Sequence, residues 1–166
     1  MKRILITGMS GTGKSSVIAE LVARGYKAVD ADSAEYSEWV EVSGDTSGLG
    51  SPEWGRDWMW REERMQALLA TEDTDLLFVS GCAANMGKFL TQFEHVVLLS
   101  APAEVIVERL ATRTTNTYGK RPEEVARTLE LIETIEPRLR PVADHEIDAS
   151  APLDEVVPNL LRIAQS

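Results

Sequence analysis

Residues 8–15 constrain this chain more than any other part of its sequence. They read GMSGTGKS and satisfy the pattern G-x-x-x-x-G-K-[ST], with a further glycine at Gly11. An apolar run at residues 4–6 precedes them, and a segment with helical periodicity at residues 15–24 follows them. Glycines in such a loop let consecutive backbone N–H groups turn inward onto a phosphate. The sequence therefore predicts a strand, a phosphate-binding loop and a helix, in that order.

This loop predicts a site for ATP or GTP. Lys14 is expected to reach the β- and γ-phosphates, and the Ser15 hydroxyl to ligate Mg²⁺, while the positive end of the following helix adds its dipole. A guanine-specific Asn-Lys-x-Asp element is absent from the sequence, but the choice between ATP and GTP stays open. The loop residues expected to contact the nucleotide are Gly8, Ser10, Gly11, Thr12, Gly13, Lys14, Ser15 and Ser16.

The apolar runs along the chain predict the fold. Five of them have the length of short strands, at residues 3–8, 27–32, 76–80, 95–100 and 146–149. Continuous rather than alternating runs are typical of parallel strands that are covered on both faces. Helical periodicity in the segments between them predicts an α/β doubly wound sheet. A length of 166 residues favours a single domain, residues 1–166.

Charge and composition restrict the partners. The net charge is −10 and no basic block compensates it, which argues against nucleic acid. No apolar run approaches the roughly 20 residues of a membrane span, and the N-terminus does not have the pattern of a secretion signal. The single cysteine, Cys82, cannot form an internal disulfide and is expected to be a buried thiol. We expect a cytoplasmic protein, monomeric or homodimeric, that acts on a small molecule.

Two carboxylates follow the second predicted strand, in the sequence VDADS. Asp30 and Asp32 are two residues apart, so on an extended segment they point to the same side. The later strands end without the carboxylate that ATP-driven machines carry at the end of a second buried strand. Phosphoryl transfer needs a magnesium ligand and a group that orients the attacking hydroxyl. We expect Asp30 to support Mg²⁺ and Asp32 to orient the hydroxyl, although the reverse assignment stays open.

These features resemble the P-loop small-molecule kinases of the shikimate kinase and gluconate kinase group, within the nucleoside-monophosphate-kinase-like superfamily. The resemblance covers most of the chain and rests on GMSGTGKSS, VDADS, ERLATRTTNTYGKRP and EIDASAPLDEVV. It implies a three-layer sandwich with strand order 2-3-1-4-5, and ATP with Mg²⁺. It also implies a mobile lid at about residues 114–122 and an acceptor-binding region at about residues 33–66.

Three arginines belong to the predicted lid. Arg109 and Arg113 lie four residues apart, on one face of a helix, and Arg121 directly precedes a proline. The resemblance implies that Arg109 packs on adenine near Pro152. It further implies that Arg113 and Arg121 close over the transferring phosphoryl group, where positive charge stabilises the transition state.

Residues 52–64 are rich in tryptophan and arginine, and contain three of the four tryptophans. Pro52 predicts the start of a helix, because a proline in the first turn lacks only an N–H group that would have no helical partner. Helical spacing would divide the large side chains between two adjacent faces, one with Trp54, Trp58, Arg61 and Met65 and the other with Trp60 and Arg64.

This segment is expected to provide the acceptor pocket. Aromatic and arginine side chains stack on flat rings or line a sugar face, and they also pack helices against sheets. The sequence leaves both roles open. After the third predicted strand the chain reads SGCAAN where shikimate kinases have a glycine triplet, so the acceptor stays unassigned. The residues expected to contact it are Asp32, Trp58, Arg61, Arg64, Gly81 and Asn85.

Three functions are compatible with these residues. The first is transfer of the γ-phosphate of ATP to a hydroxyl of a sugar, a sugar acid or a cyclic polyol. The second is a nucleoside monophosphate kinase, in which the tryptophan-rich segment grips a base. The third is a regulatory module that hydrolyses ATP slowly and acts on a protein partner.

Overall fold

A computed structural model describes residues 2–41, 56–113 and 119–166 of the chain. The strands in these ranges are β1 (Lys2–Thr7), β2 (Lys27–Asp30), β3 (Ser37–Glu41), β4 (Arg56–Trp60), β5 (Leu76–Ser80), β6 (His95–Ser100) and β7 (His145–Asp148). The helices are α1 (Lys14–Ala23), α2 (Glu62–Leu69), α3 (Ala103–Thr112), α4 (Pro122–Thr134), α5 (Glu136–Leu139) and α6 (Leu153–Ala164), and a 3₁₀ helix spans Met86–Gln92. In the described part of the chain, no helix combines the length and the hydrophobicity that a membrane span requires.

Five of the strands form one parallel sheet in the order β2-β5-β1-β6-β7. Numbered along the chain, these five strands have the order 2-3-1-4-5, so the predicted α/β fold and strand order are confirmed. The central strand β1 pairs with β5 on one side, where Ile4 lies opposite Phe78. It pairs with β6 on the other side, where Ile6 lies opposite Val97. Ile4, Leu5 and Ile6 are all fully buried, as expected for a strand covered on both faces.

Each face of the sheet has its own apolar core. Ile4 and Ile6 point to the core that includes Leu21 of α1 and Leu160 of α6. Leu5 points to the other core, which is covered by α2, the 3₁₀ helix, α4 and α5. This alternation follows from the two-residue period of a strand. Because both faces are buried, the polar side chains of the central strands β1, β5 and β6 lie towards the strand ends. The carboxyl ends of the parallel strands meet at one edge.

Residues 56–60 form a strand rather than the predicted helix, and the prediction was wrong there. β3 and β4 pair in an antiparallel hairpin, with Trp39 opposite Trp58 and Ser37 opposite Trp60. Aromatic side chains favour strands when they pack on a half-buried surface. The tryptophan spacing that fits a helix fits a strand equally well, and the length of the segment did not decide between them.

The strand changes which side chains share a face. Trp58 and Trp60 are two residues apart, so they lie on the same face of the hairpin instead of on two faces of a helix. Arg61 precedes α2, which begins at Glu62 and contains Arg64. Residues 42–55, with Pro52 and Trp54 among them, lie outside the described residues.

Asn85, which follows β5, connects this hairpin to the main sheet by hydrogen bonds. Its buried side chain accepts a hydrogen bond from the backbone N–H of Trp60 at 2.8 Å. The same side chain donates to the carbonyl of Trp60 at 2.9 Å. The neighbouring backbone N–H of Ala84 donates to the carbonyl of Trp58 at 2.9 Å. The Asn85 amide therefore pairs with both backbone groups of Trp60, as the backbone of a neighbouring strand would. The segment after β5 thus determines where the hairpin lies.

We predict that Asn85→Ala lowers the free energy of unfolding by about 2–4 kcal/mol, because it leaves two buried backbone groups of Trp60 without partners. Urea denaturation followed by circular dichroism measures this change. Asn159→Ala is the matched control, since Asn159 is exposed on α6, and it is expected to change stability by less than about 0.5 kcal/mol. Equal losses in the two variants would contradict the assignment.

Candidate active site

The loop between β1 and α1 has the conformation that its glycines predict. Gly11 and Gly13 have φ angles of +86° and +95°, in the left-handed region that favours glycine. At Gly8 a Cβ atom would collide with the carbonyl oxygen of Leu99 on β6, so the close approach of these two segments requires a glycine. The Lys14 Nζ donates to the carbonyls of Gly8 at 2.5 Å and Met9 at 3.2 Å, which holds the ammonium group against the loop.

A cleft of about 450 Å³ opens beside this loop. Its walls come from the loop itself, the end of β2, the end of α3 and the segment that leads into α6. The residues predicted from the sequence that line it are Ser10, Gly11, Thr12, Gly13, Lys14, Ser15, Ser16, Asp30, Asp32, Arg109 and Arg113. Of the other residues predicted to contact nucleotide, Gly8 lies at the base of the loop, and Pro152 stands between two lining residues, Ala151 and Leu153.

Arg109 connects the two sides of the cleft. Its guanidinium donates to the carbonyl of Ala149 at 2.5 Å and to the carbonyl of Thr12 at 3.4 Å. Thr12 belongs to the phosphate loop, whereas Ala149 follows β7. The guanidinium therefore links the phosphate loop to the segment before α6, and it forms part of the wall where the resemblance implies that adenine binds.

The two other predicted lid arginines have different positions. The Arg113 Nη2 lies 3.4 Å from the Ser10 hydroxyl of the phosphate loop. Arg121 is exposed at the start of α4, where its backbone N–H donates to the Glu124 carboxylate at 3.4 Å, and it does not line the cleft. Residues 114–118, most of the predicted lid, lie outside the described residues.

The partly buried Asp32 carboxylate lies where three segments meet. The Trp58 indole N–H of the hairpin donates to its Oδ1 at 3.3 Å. The backbone N–H of Cys82, after β5, lies 3.2 Å from both Oδ1 and Oδ2. A Cβ atom on Gly81 would lie only 3.0 Å from Asp32 Oδ1, so the glycine permits this close approach. Sequence patterns predicted Asp32 here, but not that a backbone N–H would meet it.

Burial raises the pKa of Asp32 to about 6, although the charge of Lys14 and the hydrogen bond from Cys82 oppose the rise. A carboxylate with a pKa close to neutrality is mostly ionised at pH 7 and still takes up a proton readily. Such a pKa suits a group that accepts a proton during a reaction.

Asp30 and Ser15 present the oxygen atoms that suit a magnesium ion. Both line the cleft, and Mg²⁺ prefers oxygen ligands such as carboxylates and hydroxyls together with phosphates and water. The Asp30 Oδ1 accepts a hydrogen bond from the backbone N–H of Asp32 at 2.9 Å. Within the described ranges, no group of three or more His, Cys, Asp or Glu side chains forms a metal cluster. The donor set therefore fits an ion that is shared with phosphate oxygens.

The candidates for acceptor contacts separate into two groups. Asp32, Trp58 and Gly81 come together. The Arg61 guanidinium instead pairs with Glu38 at 3.0 Å, and Arg64 donates to the carbonyl of Glu35 at 2.7 Å. The amide of Asn85 binds the backbone of Trp60, as described above.

A protein-family model described as an AAA domain matches residues 4–130, which include the phosphate loop and both aspartates. This chain belongs to that family. No curated protein gives a significant match to the chain.

Several solved structures with the same fold are described as kinases. Shikimate kinase from Acinetobacter baumannii, in complex with shikimate, superimposes with a TM-score of 0.64 at 16% identity, over 98% of this chain and 92% of that one. Shikimate kinase from Bacteroides thetaiotaomicron gives 0.65 at 15% identity, over 99% of both chains. Deoxyadenosine kinase from M. mycoides, with bound dATP, gives 0.61 at 12% identity, over 100% of both. At these identities the likeness shows the fold, and the predicted resemblance is confirmed at that level.

The Cys82 thiol of this AAA-domain protein lies next to the cleft without the properties of a nucleophile. Burial raises the pKa of the thiol to about 11, against which the charge of Lys14 acts only in part. A thiol with such a pKa is almost fully protonated at neutral pH, and the thiolate is the reactive form.

We predict that iodoacetamide alkylates Cys82 in the folded protein at pH 8 about a hundredfold more slowly than it alkylates a free cysteine, because so little thiolate is present. Mass spectrometry after timed quenching gives the rate. The same protein in concentrated urea is the control and should react at the ordinary rate. Equal rates in the folded and unfolded protein would contradict the prediction.

Proposed function

We propose that this protein is a phosphotransferase that moves the γ-phosphate of ATP to a hydroxyl group of a small acceptor. The observation that carries this proposal is the position of Asp32. A carboxylate with a pKa of about 6 lines the same cleft as Lys14 and the rest of the phosphate loop. A site for binding nucleotide alone needs no such group beside the phosphates, whereas phosphoryl transfer needs one.

The phosphate loop would hold the nucleotide. Its backbone N–H groups and the N-terminus of α1 would face the anionic phosphates, and Lys14 would supply a positive charge. Ser15 and Asp30 would hold Mg²⁺, which when bound offsets negative charge on the phosphates. Arg109 would pack against the adenine ring, because it lines the wall that leads to Ala151 and Leu153.

Asp32 would orient the acceptor hydroxyl and take its proton as the oxygen attacks the γ-phosphorus. The new O–P bond forms while the bond from the γ-phosphorus to the bridging oxygen of ADP breaks, and ADP leaves with that electron pair. Arg113, beside Ser10, and Arg121, from the predicted lid, would stabilise the negative charge on the transferring group.

The acceptor class that we propose is a sugar, a sugar acid or a cyclic polyol. Support for it comes from the aromatic hairpin next to Asp32 and from relatives of the fold that are described as shikimate and sugar kinases. The charge of −10 and the single cysteine support a small-molecule acceptor and a cytoplasmic location. We regard residues 1–166 as one kinase domain.

The first test of this function is release of ADP from Mg-ATP in the presence of pooled metabolites. The pools contain sugars, sugar acids, cyclic polyols, nucleosides and nucleoside monophosphates. A pool that raises turnover at least about tenfold above the acceptor-free rate, roughly 1.4 kcal/mol of barrier, supports the kinase, and its subdivision names the acceptor. Tight binding of ATP without stimulation by any pool would instead favour the regulatory ATPase.

We predict that Asp32→Asn lowers kcat by about 10²–10⁴-fold, because the amide cannot accept the proton of the hydroxyl. The Kd for Mg-ATP should change by less than about threefold, roughly 0.7 kcal/mol. Steady-state kinetics and calorimetric titration measure the two quantities. Asp154→Asn, on the exposed first turn of α6, is the matched control and should leave both unchanged. Full activity of Asp32→Asn would refute this mechanism.

We predict that Arg109→Ala weakens binding of ATP by about tenfold or more, since it removes a wall of the nucleotide cleft and the link between Thr12 and Ala149. The effect on kcat at saturating ATP should be smaller. Calorimetric titration with the non-hydrolysable analogue AMPPNP measures the affinity. Arg162→Ala, at an exposed position of α6, is the control. A large loss of kcat with unchanged affinity would reassign Arg109 to the transferring phosphate.

A further inference from the structure

The two oxygen atoms of Asp32 have different partners. Oδ1 receives the Trp58 indole N–H at 3.3 Å and the Cys82 backbone N–H at 3.2 Å. Among the described residues, Oδ2 receives only the Cys82 N–H, which it shares with Oδ1 at 3.2 Å. Each carboxylate oxygen has two lone pairs, so Oδ1 is engaged twice while Oδ2 retains capacity for a further donor.

The position of Trp58 is determined on several sides. Its carbonyl accepts the backbone N–H of Ala84 at 2.9 Å, and the Asn85 side chain binds the next residue but one, Trp60. On the opposite strand the ring of Trp39 contacts the ring of Trp58 edge to face, with the centroids 5.2 Å apart. The indole N–H is therefore directed by its own strand, by the segment after β5 and by a neighbouring ring.

Three segments that are distant in sequence converge on this carboxylate. Asp32 follows β2, Cys82 follows β5, and Trp58 lies in the β3–β4 hairpin. Without the indole N–H of Trp58, the Asp32 carboxylate would be held on one side only, by the backbone N–H of Cys82. A carboxylate held by a single shared N–H can rotate about its side-chain torsions, and a proton acceptor must be oriented to be effective.

We propose that Trp58 is a positioning residue for Asp32: its indole N–H fixes Oδ1, which leaves Oδ2 as the oxygen that meets the acceptor hydroxyl. This inference rests on the proposed function for its consequence in the reaction, but the contact itself is testable without an acceptor. The hairpin thereby has a second role beside shaping the acceptor region, since it sets the orientation of the group that takes the proton.

The contact is tested by NMR on protein labelled with ¹⁵N-tryptophan. The four tryptophans each give one indole N–H signal, and triple-resonance experiments together with Trp58→Phe assign that of Trp58. A hydrogen bond to a carboxylate moves an indole proton downfield. In Asp32→Asn we expect the Trp58 signal to move upfield by more than any other indole signal. A Trp58 signal that stays in place would overturn the proposal.

The consequence is tested by kinetics with the acceptor that the ADP-release screen identifies. Trp58→Phe keeps an aromatic ring but removes the donor, and we expect kcat to fall about tenfold, the effect of losing one hydrogen bond to a charged group. The KM for Mg-ATP should stay within about twofold, because the nucleotide wall is unchanged. Trp39→Phe makes the same change of indole to phenyl on the opposite strand, keeps an aromatic ring beside Trp58, and should keep at least about half of the wild-type kcat.

The outcomes separate the two proposals. Equal losses of kcat in Trp58→Phe and Trp39→Phe, or a loss that appears in KM for Mg-ATP instead, would overturn the positioning role. A screen without any stimulating acceptor would refute the proposed function. In that case the NMR measurement still decides whether Trp58 holds Asp32, since it needs neither acceptor nor turnover. Thermal melting of both phenylalanine variants identifies any loss of kcat that arises from unfolding.

Discussion

Burial of β1 on both faces is the constraint on which the rest of this structure depends. A strand with Ile4, Leu5 and Ile6 fully buried must lie between two neighbours and two layers of helices. Parallel pairing of β1 with β5, and of β5 with β2, then brings the carboxyl ends of these three strands to one edge. The phosphate loop, the two aspartates and Gly81 leave the sheet at that edge, so the apolar core determines where the cleft lies.

The cleft combines a part that belongs to the main sheet with a part that belongs to the β3–β4 hairpin. The phosphate loop is fixed by glycines and by contact of Gly8 with Leu99, and Arg109 connects it to the segment after β7. On the opposite side, the β3–β4 hairpin brings Trp58 to Asp32. The side of the cleft at the phosphate loop thus depends on the sheet, whereas the side at Asp32 depends on a hairpin that Asn85 attaches to the sheet.

The sequence predicted the features that follow from hydrophobic period and from glycine chemistry. All five strands of the sheet and the position of the loop could be derived in this way, because each is encoded locally. The order of the strands came instead from the resemblance to the shikimate kinase and gluconate kinase group. The hairpin could not be derived, since tryptophans at residues 58 and 60 fit a strand and a helix alike, and pairing with Ser37–Glu41 is non-local. The links from Cys82 and Trp58 to Asp32 escaped prediction because a backbone N–H and the direction of an indole leave no pattern in a sequence.

The attachment of the hairpin separates its exposed surface from the core of the sheet. β3 and β4 form a two-stranded sheet of their own, inserted between β2 and α2 and anchored through Ala84 and Asn85. Substitutions on its exposed surface leave the buried face of β1 and the phosphate loop untouched. The surface beside Asp32 can therefore be altered independently of the sheet, provided that the hydrogen bonds between Asn85 and Trp60 and from Trp58 to Asp32 are retained.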